Sequence, residues 1–323
     1  MGPPLRGRPI VVSLPRAPGT ELRQPRRRLD VALVELGLAE SRSAAAALIE
    51  VGKVLVGGSL AMKASRLVGA GEPVRVTGEP PRFVSRGGEK LHAALEHFGV
   101  QSAGRQALDA GASTGGFTDC LLQSGAERVV AVDVGRGQLH PRIRSDHRVT
   151  PLERTDVRSE ALDVYRGRMD VVVADLSFIG LRSVAPALVS FAAPGADIIV
   201  LVKPQFEAGR AEASRAKGVI RSPDVWRSTL ESATASVRGA GVVMMNLMVS
   251  PLRGAGGNVE FLSHFRASER RYPQLRSDIG GAEEPAGPIE VLVDRAVEAA
   301  LQACQGARGA DSLGSGRAFR GGR

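Results

Sequence analysis

From position 106 onward, short apolar runs alternate with stretches of helical period. The runs fall at 106–109, 128–134, 149–153, 169–177, 196–204, 242–251 and 259–265, with helical patterns between most of them. Strands alternating with helices predict an α/β fold whose parallel sheet is covered on both faces. Only a glycine-rich stretch, 253–258, separates the last two runs, and so short a turn makes the seventh strand antiparallel to its neighbours. Positions 242–248 are apolar almost throughout and read as buried strand. Near the C-terminus Ile289, Leu292, Val293, Ala296, Val297, Ala300 and Leu301 share one helical face, so 288–304 is expected to cover the sheet as a helix.

The pattern before position 80 differs. Val31, Leu33, Val34, Leu36 and Leu38 recur at helical spacing up to 37–39, and Ser41 then caps a second helix over 43–51 that stops at Gly52. Strands follow at 53–56, before the Gly57-Gly58 turn, and at 73–76. Residues 25–79 therefore form a small α+β domain, Pro80-Pro81-Arg82-Phe83-Val84 a stiff linker, and 85–304 a larger domain opening with a helix over 85–98. Residues 1–24 and 305–323, rich in Gly and Arg with few apolar anchors, are expected to be unstructured tails.

At 323 residues and 43% hydrophobic content the chain can bury one large core and a satellite. Cys120 and Cys304 are the two cysteines, so a disulfide framework is not supported and the reduced cytoplasm is the expected compartment. No apolar run approaches a membrane span, the N-terminus lacks a signal-peptide core, and the histidines have no metal-ligand spacing. The expectations are no membrane, no metal and a monomer. The net charge is +9, of which residues 1–30 carry +5 and 304–323 carry +3. Such a balance suggests nucleic acid, yet 31–79 are neutral overall, so an RNA grip must come from placement on a folded face.

The candidate chemistry centres on Asp109-Ala-Gly111-Ala112-Ser113-Thr-Gly115-Gly116-Phe117, between the first run and a helix. A strand turning on small residues into a helix lets backbone N–H groups and the positive helix end approach a ligand, although a plain βα turn looks the same in isolation. The second run ends at Asp133, about twenty residues on, where a carboxylate can accept from both ribose hydroxyls of a nucleoside. The glycines fall at the first, fifth and sixth positions of 111–116 rather than as G-x-G-x-x-G, which favours S-adenosylmethionine over a pyrophosphate cofactor. Asp175 and Lys203 end the fourth and fifth runs, where ligands of a parallel sheet lie. A reversed seventh strand inserted beside the fifth brings Glu260, its second residue, to the same edge, and Lys90 can reach there from the preceding helix. Methylating a ribose hydroxyl requires its proton to be withdrawn, and a desolvated lysine oriented by carboxylates can assist. Lys203 is the candidate for the central role.

Residues 25–79 resemble an S4-type RNA-binding domain through Arg28-Leu-Asp30, Gly37-Leu-Ala-Glu-Ser41-Arg42, Leu48-Ile49, Gly52-Lys-Val-Leu-Val56 and Lys63-Ala-Ser65. Over 26–266 the chain resembles the TlyA, or haemolysin A-like, family. The motifs carrying this likeness are Ser85-Arg86-Gly-Gly-Glu-Lys90-Leu, Gly111-Ala-Ser-Thr-Gly-Gly-Phe-Thr-Asp-Cys, Ala174-Asp175-Leu-Ser-Phe178-Ile, Leu201-Val-Lys203-Pro-Gln-Phe-Glu207 and Gly257-Asn-Val-Glu260. The resemblance implies an S4 domain joined to an FtsJ-like, Rossmann-type methyltransferase with a seven-stranded, mostly parallel sheet. It implies S-adenosylmethionine-dependent 2′-O-methylation of cytidine in ribosomal RNA within ribosomal subunits, by a Lys90, Asp175, Lys203 and Glu260 tetrad. Around the cofactor it implies Asp109, 111–117 (Gly111, Ala112, Ser113, Gly115, Gly116, Phe117), Asp133, Val134, Asp156, Val157 and Asp175. Toward RNA it implies Arg26, Arg27, Arg28, Arg42, Lys53, Lys63 and Arg86. Three positions depart from or vary within the family pattern: Asp156 stands where Asn is expected, Arg136 where an aromatic is expected, and Phe83 where Trp is frequent. A pore-forming protein, as the older family name suggests, and a non-catalytic ribosome-binding module are the competing readings. The missing barrel pattern opposes the first and the complete tetrad opposes the second.

Overall fold

The computed structural model describes residues 11–13, 26–39, 42–50, 52–77, 81–216, 218–268 and 287–314. Ser41 as a cap, Val51 as a helix end, Pro80 of the linker, and tail residues 1–10, 14–24 and 315–323 lie outside them. Contacts divide the chain into two units, Met1–Ser85 and Arg86–Arg323.

The first unit runs β1 (Val11–Ser13), β2 (Arg27–Arg28), α1 (Leu29–Glu35), α2 (Arg42–Glu50), β3 (Val54–Val56), β4 (Ser59–Leu60), β5 (Leu67–Val68) and β6 (Pro73–Val76). Its sheet has the order β1-β6-β3-β4, while β2 pairs antiparallel with β5. Leu29, Leu33, Ala45, Ile49, Val54, Val56, Val68 and Val74 form its core, one face of each helix meeting alternate strand residues. Residues 11–13, expected in an unstructured tail, instead pair with β6. Val11 and Val12 are β-branched, and the free edge of β6 supplies the backbone partners that local sequence does not reveal.

The second unit runs α3 (Arg86–Phe98), β7 (Gln106–Ala110), α4 (Gly116–Gln123), β8 (Arg128–Asp133), α5 (Pro141–Arg144), β9 (Val149–Glu153), β10 (Met169–Ala174), α6 (Ala185–Phe191), β11 (Ala192–Val202), α7 (Pro204–Glu207), α8 (Arg210–Arg215), α9 (Pro223–Arg238), β12 (Val242–Val249), β13 (Phe261–Ala267) and α10 (Ile289–Gly314). The sheet order is β12-β13-β11-β10-β7-β8-β9. β13 lies antiparallel between β11 and β12, and the pairs among β11, β10, β7, β8 and β9 are parallel. This is the mostly parallel seven-stranded α/β sheet expected from the pattern, including the reversed last strand. On one face Leu108, Val130, Val172, Ile198 and Val200 pack with Leu188, Phe191, Trp226, Leu230, Leu292 and Val293 from α6, α9 and α10. α3 covers the other face, where Phe98 stacks on His264 at 5.3 Å. Each fully buried aromatic or aliphatic side chain contributes roughly 1.5–3 kcal/mol, so this core dominates the unit's stability.

Several boundaries move, each by the chemistry at the strand end. β10 stops at Ala174, not 177, because the chain turns outward through Phe178, whose φ is +65°. Lys203 caps α7 rather than ending β11, since Pro204 is pre-set for a first helical position. Glu260 immediately precedes β13, its carbonyl accepting from the Ser250 N–H at 2.8 Å. α10 continues to Gly314, so residues 305–314 are helical where a tail was expected; the good helix formers Gln302, Ala303 and Ala307 carry the helix past the glycines.

Candidate active site

β7 delivers the chain to Gly111, whose φ is +85° and whose hypothetical Cβ would lie 2.6 Å from the Asp175 carbonyl oxygen. Only glycine lets the turn approach the exit of β10 this closely. At Gly115 a Cβ would lie 2.9 Å from Leu139 Cδ1, and α4 starts at the next residue with Phe117 buried. Beneath the turn Asp109 is wholly buried; its Oδ2 accepts from Thr118 Oγ1 at 2.6 Å, while Oδ1 has no hydrogen-bond partner. Burial, with the nearby charges of Asp175 and Asp133, raises its pKa to about 7 against the opposing Thr118 bond.

The end of β8 closes the next side. Asp133 Oδ2 accepts from the Ser113 N–H at 2.8 Å and Oδ1 from the Gly135 N–H at 2.6 Å, so the carboxylate ties the glycine turn to the β8 exit. Further lone pairs remain for a ligand. Gln138 lies across this junction and accepts from Ser113 Oγ at 3.2 Å. Asp156 is held by Arg158 at 2.7 Å, whose side-chain and backbone hydrogen bonds lower its pKa to about 2. A cleft of about 480 Å³ runs between these elements. Among the expected cofactor residues Gly111, Ser113, Asp133, Val134, Asp156, Val157 and Asp175 line it. Ala112, Gly115, Gly116 and Phe117 instead build the turn, and Asp109 lies under it.

The four candidate catalytic side chains form two ion pairs. Lys203 Nζ lies 2.5 Å from Asp175 Oδ1 and donates to Ser177 Oγ at 2.8 Å. Lys90 Nζ, from α3, lies 2.5 Å from Glu260 Oε2, and these two side chains are 10% and 3% exposed. The pairs are neighbours because Val202 of β11 stands opposite Phe261 of β13, which sets Lys203 beside Glu260 across the strand ends. Gly254 covers Glu260: a Cβ there would lie 1.8 Å from Oε1. Of the four, Asp175 alone lines the cleft. Phe206, one helical turn past Lys203, has its ring 5.7 Å from Nζ and 5.1 Å from that of Phe178, which is 91% exposed. The sequence assigns no role to Ser177, Gln138 or Glu207; Ser177 and Glu207 fall within motifs quoted above, which is the available signal.

In the first unit Arg28 and Arg42 share Asp30, at 3.0 and 2.8 Å, and hold its pKa well below the usual carboxylate range, chiefly through the Arg28 hydrogen bond. Arg27 pairs with Glu35, while Arg26, Lys53 and Lys63 are exposed. Arg86 belongs to the second unit and donates to the Arg253 carbonyl at 2.9 Å.

This sheet order, a glycine turn facing a nucleoside-sized cleft and lysine–acid pairs at the strand ends define an α/β methyltransferase. The FtsJ-like methyltransferase model matches residues 83–267 and the S4 domain model residues 27–74. A Mycobacterium tuberculosis protein named 16S/23S rRNA (cytidine-2′-O)-methyltransferase TlyA is 45% identical over 247 residues, covering 76% of this chain and 92% of that one. Hemolysin A of Brachyspira hyodysenteriae is 36% identical over 239 residues, covering 74% and 99%. A solved structure from Streptococcus thermophilus, provisionally named a hemolysin, superposes with a TM-score of 0.65 at 34% identity, covering 87% and 99%. The chain belongs to the TlyA family of S4-bearing FtsJ-like methyltransferases. Among the described residues no helix is long and apolar enough to cross a membrane.

Proposed function

We propose that the protein transfers a methyl group from S-adenosylmethionine to the 2′-hydroxyl of cytidine in ribosomal RNA, with ribosomal subunits as substrate. The observation that carries the reading is the pairing of Lys203 with Asp175 at 2.5 Å beside the cleft. The relatives named above, one of them an rRNA cytidine-2′-O-methyltransferase, support it. The cleft suits the cofactor: Val134, Val157 and Ile179 supply apolar walls, Asp133, Asp156 and Asp175 supply acceptors and negative charge, and the Gly111 turn borders it.

When bound, S-adenosylmethionine supplies an electrophilic sulfonium methyl, so that the ribose oxygen gains the methyl carbon and the breaking C–S bond leaves its electrons on sulfur. Lys203 takes up the hydroxyl proton as the neutral amine and so becomes the ammonium that pairs with Asp175 and donates to Ser177. Lys90 fixes Glu260 beside it, and the glycine turn with Asp133 holds the nucleoside end. Arg26, Arg27, Arg28, Arg42, Lys53 and Lys63 of the S4 unit, together with Arg86, serve to hold RNA through phosphates and shape.

Incubation with labelled cofactor and separated subunits, followed by mapping of 2′-O-methyl groups, tests this reading. Label on cytidine ribose is the expected result, and no transfer to either subunit refutes it. The hemolysin names among the relatives favour a second reading, contact lysis of membranes, which erythrocyte lysis by purified protein would reveal.

A further inference from the structure

The exit loop of β10, residues 175–181, carries the carboxylate that pairs with Lys203 and the hydroxyl that accepts from it, yet it is a loop with one residue in the left-handed region. Phe178 has a φ of +65°, a conformation unfavourable for an L-residue that persists only where surroundings impose it. α7 borders this loop. Glu207 is half-buried, its Oε1 accepts from the Leu181 N–H at 2.8 Å, and its Oε2 lies 3.3 Å from where a Cβ on Gly180 would sit. Burial raises its pKa, with the Leu181 bond opposing. A carboxyl kept in this place against its own desolvation has a task beyond solubility.

α7 is one turn long, capped by Lys203 and closed by Glu207. The same turn therefore presents the amine at one end and clasps the loop at the other. Between them Phe206 rests on Phe178 at 5.1 Å, and Ser177 receives the amine's hydrogen bond. We propose that Glu207 is a positioning residue for methyl transfer: by clasping Leu181 and Gly180 it locks the loop bearing Asp175 and Ser177 to the turn bearing Lys203, and so sets the direction of the amine. This rests on the reading of Lys203 given above. The clasp itself is a separate, measurable object.

The test compares Glu207→Ala, which removes the acceptor, with Glu207→Gln, which keeps an oxygen for the Leu181 N–H. In the free full-length protein, hydrogen exchange of segment 176–181 should speed up in Glu207→Ala and remain near wild type in Glu207→Gln. In methyl transfer to ribosomal subunits, Glu207→Ala should lower kcat about ten- to hundred-fold, as expected when a reacting group is misdirected by an ångström or less. Cofactor Kd should weaken by less than kcat falls, because the loop contributes Asp175 and Ile179 to the cleft wall while Glu207 itself lies outside it, and Glu207→Gln should recover most of kcat. Unchanged exchange in Glu207→Ala would overturn the clasp even if no RNA substrate were methylated. Altered exchange with unchanged kcat would overturn its positioning role. Equal loss in both variants, or a loss appearing only in cofactor Kd, would also overturn it.

Discussion

Replacing Lys90 with methionine should destabilise the protein far more than removal of a surface lysine, and the reason is the fate of Glu260. The two side chains are 10% and 3% exposed and lie 2.5 Å apart, and Gly254 packs directly over the carboxylate. Without its partner the Glu260 carboxylate remains where water cannot reach it. Breaking a buried pair in this way costs about 3–5 kcal/mol, whereas replacing both partners with apolar groups of similar volume is often near neutral. Lys90→Met should therefore lower stability by about 3–5 kcal/mol, roughly 6–20 °C in Tm for a unit of this size. Lys90→Met with Glu260→Met should restore all but about 1 kcal/mol of it. Thermal and urea denaturation of the single and double variants give the coupling energy. If the pair serves catalysis, the double variant is folded and inactive. A Lys90→Met protein within about 1 kcal/mol of wild type, or a double variant as unstable as the single, would refute the burial argument. A double variant with normal turnover would remove the pair from the mechanism.

Other perturbations are equally open to measurement. Gly111→Ala places a Cβ 2.6 Å from the Asp175 carbonyl at a φ of +85°, so left-handed strain and overpacking together should cost about 2–5 kcal/mol and weaken cofactor binding, read by denaturation and calorimetry. Asp109, with a pKa raised to about 7, takes up a proton on folding between its ordinary carboxylate value and neutrality. Its stabilising contribution is thus complete at low pH and declines as pH rises toward 7, at up to about 1.4 kcal/mol per pH unit, so wild type should lose stability relative to Asp109→Asn across that window. Reversing the exposed Lys53 and Lys63 to glutamate should weaken rRNA binding and reduce the salt dependence of affinity by about two phosphate contacts, with cofactor binding unchanged.

Periodic features were legible in the sequence. Apolar runs and glycine breaks gave the sheet, its reversed last strand and the covering helix, and the acids and lysines closing those runs gave candidates at one sheet edge. Contacts set by register were not legible. Lys90 meets Glu260 across 170 positions only because β13 inserts beside β11, and no local pattern announces which of two nearby acids a lysine will take. The two-residue strands β2 and β5 are too short to show a period, and β1 owes its form to the edge it joins. Glu207 and Ser177 stood inside conspicuous motifs, but a hydrogen bond to a backbone N–H in another loop leaves no trace in residue order.

In the proposed mechanism the neutral Lys203 amine takes the proton from a ribose hydroxyl beside the cofactor cleft. This step is tested most directly by Lys203→Ala assayed in parallel for S-adenosylmethionine affinity and for 2′-O-methylation of ribosomal RNA. Turnover should fall about 10²–10⁴-fold, the usual contribution of a positioned acid–base group, with cofactor Kd within about three-fold of wild type. Turnover at the wild-type rate in Lys203→Ala would contradict it.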